Sequence, residues 1–377
     1  MSEEERIHRG LKGVYFDRSP ATFIDGQAGE LLYYGYSIHD LAEYSTFEET
    51  AYLLLYGELP LADELFEFDS ALKAARRLPV SVLEIIDRIK EAHPMDVLRT
   101  AVSAMAAFDE ETADCSPEAV LRKGIRLTSQ VPMIVAAHHR IRSGEQPVEA
   151  DPSLSHAANF LSMVKGEQPS EAAARLMDLD FILHAEHGSN ASSFTARVVT
   201  GTDADLHAAL TAAIGALSGP AHGGAAENVM KMAREVGDPA NAQDYVKAKR
   251  RNREAIMGFG HRVYRAEDPR ARHLRVGVER LSIEKGEPQW SQILAALVEA
   301  MKPYSRHGVN VNVDFYSGVI YHLHGIPQDL FVPIFAVGRV PGWTLQVLEQ
   351  LESNILIRPL LKYNGSDQKE YIPIVER

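Results

Sequence analysis

A mainly all-α fold is predicted by three features: apolar residues recur at helical spacing, breakers interrupt them at helix-length intervals, and no strand–helix–strand alternation appears. The stretch GVYFDRSPATFIDG, 13–26, is the exception. Its β-branched and aromatic residues alternate between turn formers, so a minor N-terminal β element is expected there. After Thr46, FEETAYLLLYGELP carries apolar stripes that stop at Gly-Glu-Leu-Pro. Further helices are predicted over roughly 61–76, 80–91, 94–108, 117–142, 170–186, 192–200, 204–218, 223–236, 241–254, 268–284, 290–302, 315–323 and 328–352. Most begin near Ser, Asp, Thr or Pro, which cap or pre-set a first turn, and end near Gly or Pro. A dinucleotide-binding fold is disfavoured by the missing βαβ pattern.

The chain has 377 residues, more than one ordinary core accommodates, so two domains with a site between them are expected. Apolar residues make up 45% and charged residues 24%, a globular composition. Cys115 is the only cysteine, which excludes an internal disulfide and a thiol-rich metal site. The net charge of -13 opposes binding to nucleic acid or an anionic membrane, while leaving room for a local basic pocket. No stretch approaches the roughly 18 uninterrupted apolar residues of a membrane span, and the start MSEEERIHRG is acidic. A cytoplasmic protein is expected.

Three breakers carry ionisable residues: LSGPAHGG at 217–224, MGFGHR at 257–262, and YSRHGVNVNVD leading to Asp314. His222, between Gly-Pro and two glycines, has an uncrowded ring at a predicted helix start, where a neutral imidazole can donate to a developing negative oxygen. Glycines at 258 and 260 deliver His261 to a loop tip among Arg262, Arg265 and Arg270, and such cations disfavour its protonated form. Asp314, between Val313 and Phe315, gains proton affinity in apolar surroundings and suits a general base if donors stabilise the resulting anion. Each residue alone also has a plain structural reading: turn histidine, surface histidine, helix cap. His184 and His187 flank Glu186, and His322 lies near His324, yet neither pair completes a metal-ligand set and HExxH is absent. A non-enzymatic helical scaffold is the alternative of a different class.

Taken together, GFGHRVYRAEDPR at 258–270, HAEHGSNASSFTARVV at 184–199, GPAHGGAAENVMKM at 219–232 and NVDFYSG at 312–318 resemble the citrate synthase family in order and approximate spacing. The resemblance runs from IDG at 24–26 to RPLLKYNG at 358–365. It implies a two-domain helical fold, with a large domain over 1–221 and 320–377 and a small domain over 222–319. It also implies condensation of oxaloacetate with acetyl-CoA without a cofactor or metal. Asp314 would take a methyl proton, His222 would hold the enol oxygen, and His261 would polarise the ketone. His187, His222, His261, Arg270, Arg339 and Arg358 would bind oxaloacetate, with Arg358 reaching across a homodimer. Arg265, Lys249, Met257, Gly258, Phe259 and Gly260 would bind CoA. The related 2-methylcitrate synthases, which use propionyl-CoA, are the close alternative. Two departures from the family pattern are Tyr34, where arginine is common, and Ala221, where leucine is frequent.

Overall fold

The computed structural model describes residues 7–377, so most of the acidic start lies outside the described residues. Three short strands come first, β1 (Thr22–Asp25), β2 (Glu30–Tyr33) and β3 (Tyr36–Ser37), in an antiparallel sheet of order β1-β2-β3. Of the predicted stretch 13–26 only its end is strand. The other two strands come from ELLY and YS, which the sequence reading passed over. They are joined by Tyr34 and Gly35 at φ 47° and 86°, both left-handed as a tight hairpin turn requires, without the usual Asn-Gly or Asp-Gly cue.

Sixteen α-helices follow among the described residues. They are α1 (Ile38–Tyr44), α2 (Phe47–Tyr56), α3 (Ala62–Ala74), α4 (Val80–Arg88), α5 (Pro94–Met105), α6 (Pro117–Arg142), α7 (His156–Lys165) and α8 (Glu171–His184). Then come α9 (Ala191–Thr200), α10 (Leu206–Leu217), α11 (Ala225–Val236), α12 (Ala242–Arg251), α13 (Ala271–Glu284), α14 (Gln289–Ser305), α15 (Asp314–Leu323) and α16 (Phe331–Glu352). The mainly all-α expectation holds, and every predicted helix is present. The caps include the expected types, with Thr46 accepting from the Glu49 N–H and Ser116 from Ala119; at α9 the cap is Asn190, which accepts from Ser193. Two helices were not predicted. α1 is only seven residues long, and α7 is buried on almost every side, from His156 through Leu161 and again at Met163 and Val164. A helix enclosed all round has no polar face to mark its period.

α16 is the spine of the fold. It is buried along most of its length and packs on α2, α6, α8, α9 and α10. Its length and apolar composition would suit a membrane span, but it is enclosed by its own core. Phe335, Arg339 and Trp343 recur every four residues, so one stripe of this spine faces the ends of α8 and α9. Beyond Glu352 the chain runs exposed and without α-helix to its end.

Candidate active site

The loop that delivers His261 and the segment that delivers Asp314 are built on one another. The Gly260 N–H donates to the Asn310 carbonyl at 2.7 Å, and the Asn312 N–H donates to the Gly258 carbonyl at 2.9 Å. The Asn312 side chain adds a bond to the Gly260 carbonyl at 3.0 Å, and Phe259 meets Phe315 edge-on at 4.8 Å. Gly258 has φ 76°, and a Cβ there would lie 2.6 Å from the Phe315 ring, so only glycine fits this turn. Asp268 closes the unit. Its carboxylate takes Nε and Nη2 of Arg270 at 2.9 and 2.8 Å and accepts the Val313 N–H at 3.3 Å, just before α15. Asp314 therefore begins its helix without serving as the cap.

His261 accepts the N–H groups of Val263 and Tyr264 on Nδ1, at 3.1 and 3.2 Å. Amide groups only donate, so Nδ1 is unprotonated and Nε2 carries the ring hydrogen. Burial first, and the Arg270 guanidinium second, push this ring down to about 4. Of the cations read from the sequence, Arg270 and Arg265 thus act in the expected direction but are not the main cause.

His222 is neutral for the same reason, with burial and then Arg339 bringing it down to about 4. Its hold differs from the expected one. The ring does not lean on α11, which follows it; it reaches the first turn of α9, where the Ser192 N–H donates to Nε2 at 3.3 Å and the Ser192 hydroxyl lies 2.9 Å from the same nitrogen. This leaves Nδ1–H as the free donor. Ser192 is itself fixed by the Trp343 indole N–H at 3.0 Å and by Asn190 at 2.8 Å.

Arg339 is the hub. It is buried, its Nε donates to the His184 carbonyl, and its guanidinium lies 4.7 Å over Phe335, whose ring also meets His184 and His222. Burial draws Arg339 down to about 10 against the opposing pull of Glu186, whose own carboxyl burial pushes up to about 7. His187, also buried, sits 3.1 Å from the Tyr264 hydroxyl and 5.2 Å ring to ring from His261. Burial, then Arg270, His261 and Arg339, hold it well below the ordinary histidine range. Burial raises Asp314, partly offset by His184 and Arg270. The structure thus gathers His187, His222, His261, Arg270, Arg339 and Asp314.

The other predicted residues stand apart. Arg265 donates to the carbonyls of His261 and Tyr264 at the surface. Lys249 pairs with Glu254 at 2.7 Å, and with Met257, Lys231 and Tyr245 it lines a separate cavity of about 320 Å³. Arg358 is exposed beyond α16, where neighbouring backbone at Ile355 and Ile357 packs on Gly201. Gly201 ends α9 and Ser192 lies near its start, so Arg358 and His222 are at opposite ends of that helix. Sequence reading missed Ser192, Trp343, Tyr264 and Asp268 as supports; the SNAS run, with its Asn190 cap, was the available signal for the first.

The family model described as "Citrate synthase, C-terminal domain" matches residues 10–360. The chain belongs to the citrate synthase family. It is therefore an enzyme of the acyltransferase class that this family comprises. It is 45% identical to a citrate synthase of Haloferax volcanii, over 98% of this chain and 99% of that one. It is 42% identical to 2-methylcitrate synthase 2 of Corynebacterium glutamicum, over 98% of each. The crystal structure of a Thermoplasma acidophilum citrate synthase, a ternary complex with carboxymethyl coenzyme A and oxaloacetate, matches with a TM-score of 0.93 at 32% identity, covering 99% of this chain and 100% of that one.

Proposed function

We propose that the chain condenses acetyl-CoA with oxaloacetate and water to give citrate and CoA, and that His222, His261 and Asp314 carry the chemistry. The observation that carries this reading is the pair of neutral histidines with opposite ring nitrogens free to donate, together with a buried carboxyl of raised proton affinity at the end of the segment on which the His261 loop is built. Asp314 takes a proton from the thioester methyl, the C–H pair becoming the C=C bond while the C=O π pair moves onto the oxygen, which receives a hydrogen bond from Nδ1–H of His222. The enol carbon then attacks the oxaloacetate ketone, whose oxygen is met by Nε2–H of His261. Water cleaves the C–S bond of the citryl thioester and CoA leaves as the thiol.

Two carboxylates on the substrate call for forked cations, and Arg339 and Arg270 supply two beside His187. In this reading Arg358 comes from a second copy of the chain. The exposed Ile355, Leu360, Leu361 and Tyr363 around it support burial against such a partner. CoA would lie along 257–260, with Arg265 and Lys249 toward its phosphates. The division into a large domain (1–221, 320–377) and a small one (222–319) remains part of the proposal, with closure excluding water from the enolisation; α15 runs unbroken through 319 and 320. A cytoplasmic location accords with a single, unpaired cysteine.

Relatives of both acyl specificities match, so the experiment is competition between acetyl-CoA and propionyl-CoA with oxaloacetate, read as thiol release. Acetyl-CoA is expected to lead in kcat/KM by about 10- to 100-fold, the range one methylene commands. A lead for propionyl-CoA makes the chain a 2-methylcitrate synthase, and consumption of neither overturns the reading.

A further inference from the structure

Behind Asp314 lies a second carboxylate that the reaction just described does not use. Asp180 is on α8, four residues before His184, and none of its surface is exposed. Side chains of α15 occupy both of its oxygens: the Ser317 hydroxyl donates to Oδ1 at 2.8 Å and the Tyr321 hydroxyl donates to Oδ2 at 2.5 Å. His184 Nδ1 donates to the Asp180 carbonyl at 2.8 Å and lies 3.4 Å from Oδ1. Among the described residues no lysine or arginine pairs with this carboxylate within 4.0 Å. If α8 and α15 only needed joining, an apolar pair would serve at less cost, because a buried anion without a cation is expensive to hold.

The spacing shows what the contact controls. Asp314, Ser317 and Tyr321 stand at i, i+3 and i+7, so they share one face of α15. The clamp on Ser317 and Tyr321 sets the rotation and height of the helix whose first residue is Asp314. α8 leads directly into the segment that carries His187. On another side of α15, Gly318 lies so close to α11 that a Cβ would come 2.4 Å from the Ala226 carbonyl, which leaves the helix no room to shift that way.

We propose that Asp180 is a positioning residue for proton abstraction: through Ser317 and Tyr321 it fixes the face of α15 that presents Asp314, and it places a fixed negative charge behind that base. The inference rests on the reading of Asp314 as the base. The charged groups around Asp314 are Asp180 and His184 on α8, Asp268 and Arg270 ahead of α13, and Arg339 on α16. Asp268 and Asp180 favour the protonated form, and His184 and Arg270 oppose them. Elsewhere on α15, Arg275 and Glu279 of α13 act on Tyr316, while His322 meets Arg234 of α11 and Trp290 of α14. Burial and Asp180 hold the Tyr321 phenol far above its ordinary value, so it stays a donor.

The test is the pH profile of kcat at saturating oxaloacetate and acetyl-CoA for the full chain and for Asp180→Asn, Tyr321→Phe and Asp314→Asn. Asp180→Asn keeps the shape and can still bond both hydroxyls, but removes the charge. Its acid limb is expected to move to lower pH by about one unit, with the KM for oxaloacetate unchanged. Tyr321→Phe keeps the charge and removes one strut; kcat should fall about tenfold with the acid limb in place, as expected for a base displaced by a fraction of an ångström. A wild-type limb in a folded Asp180→Asn, or a wild-type kcat in Tyr321→Phe, overturns the proposal. The second variant decides if the first does not fold. Turnover retained in Asp314→Asn instead overturns the underlying reading of the base.

Discussion

His222 and His261 reach the same charge state by the same cause and are aimed by different means. Burial is the leading influence on both, and both come to about 4. His261 is oriented by its own turn, through two backbone N–H groups two and three residues further on. His222 is oriented by a serine thirty residues earlier in the chain, itself held by a tryptophan of α16. One donor is thus fixed by local backbone and the other by a tertiary relay of side chains. The charge of such a ring and its aim are separate problems, and the fold solves the second one twice.

The most severe way to break the comparison is to remove each ring. His222→Ala and His261→Ala should each lower kcat by about 10²- to 10⁴-fold while the thermal transition stays cooperative. The reading of two equal donors fails if one variant turns over within a few-fold of the parent in the thiol-release assay.

The means of aiming can be attacked separately. Gly258→Ala forces a Cβ to 2.6 Å from the Phe315 ring and 3.0 Å from its Cα, so the loop carrying His261 must shift, and kcat should fall by about 100-fold. Ser192→Ala removes the hydroxyl but leaves the N–H on Nε2, so a loss nearer tenfold is expected, within the reach of one hydrogen bond to a positioned group. If Ser192→Ala proves the more damaging, the relay rather than the backbone turn is the tighter constraint.

The same contrast explains what could be read in advance. Helices with a polar face and a cap, such as α2 behind Thr46 and α6 behind Ser116, declare themselves locally. α7 does not, because burial on almost every side erases the pattern that would reveal it. In the site, the glycines around His261 announce a turn that needs φ above zero, so the backbone-held donor was legible. Nothing near His222 names Ser192 or Trp343, since that relay exists only once α9 and α16 have packed. Asp268 opens the predicted helix 268–284, and its larger task of joining Arg270 to the start of α15 depends on a residue 45 positions later. Arg358 lies further still from local inference: it is exposed beyond α16, and the role proposed for it needs a second chain.

The smallest expected effect tests the half of the comparison in which the two histidines agree. Each has a native value of about 4 against an ordinary 6.5. As pH falls below 6.5 the unfolded chain binds protons that the native site refuses, so stability is lost between 6.5 and about 4 and this contribution levels off below. Above 6.5 it is fully present. Replacing either ring by asparagine removes one such proton, and the slope of unfolding free energy with pH should flatten by at most about 1.4 kcal/mol per pH unit. His156, brought down to about 3 in the core, and the raised carboxyl of Glu186 leave slopes of their own, in opposite directions, so the measurement is the difference from the parent in denaturant titrations at pH 7 and 5. Because burial rather than aim sets the charge, His222→Asn and His261→Asn should flatten the slope equally. A clear inequality would mean that the Ser192 relay or the 261–264 turn also governs protonation, and that charge and aim are coupled after all.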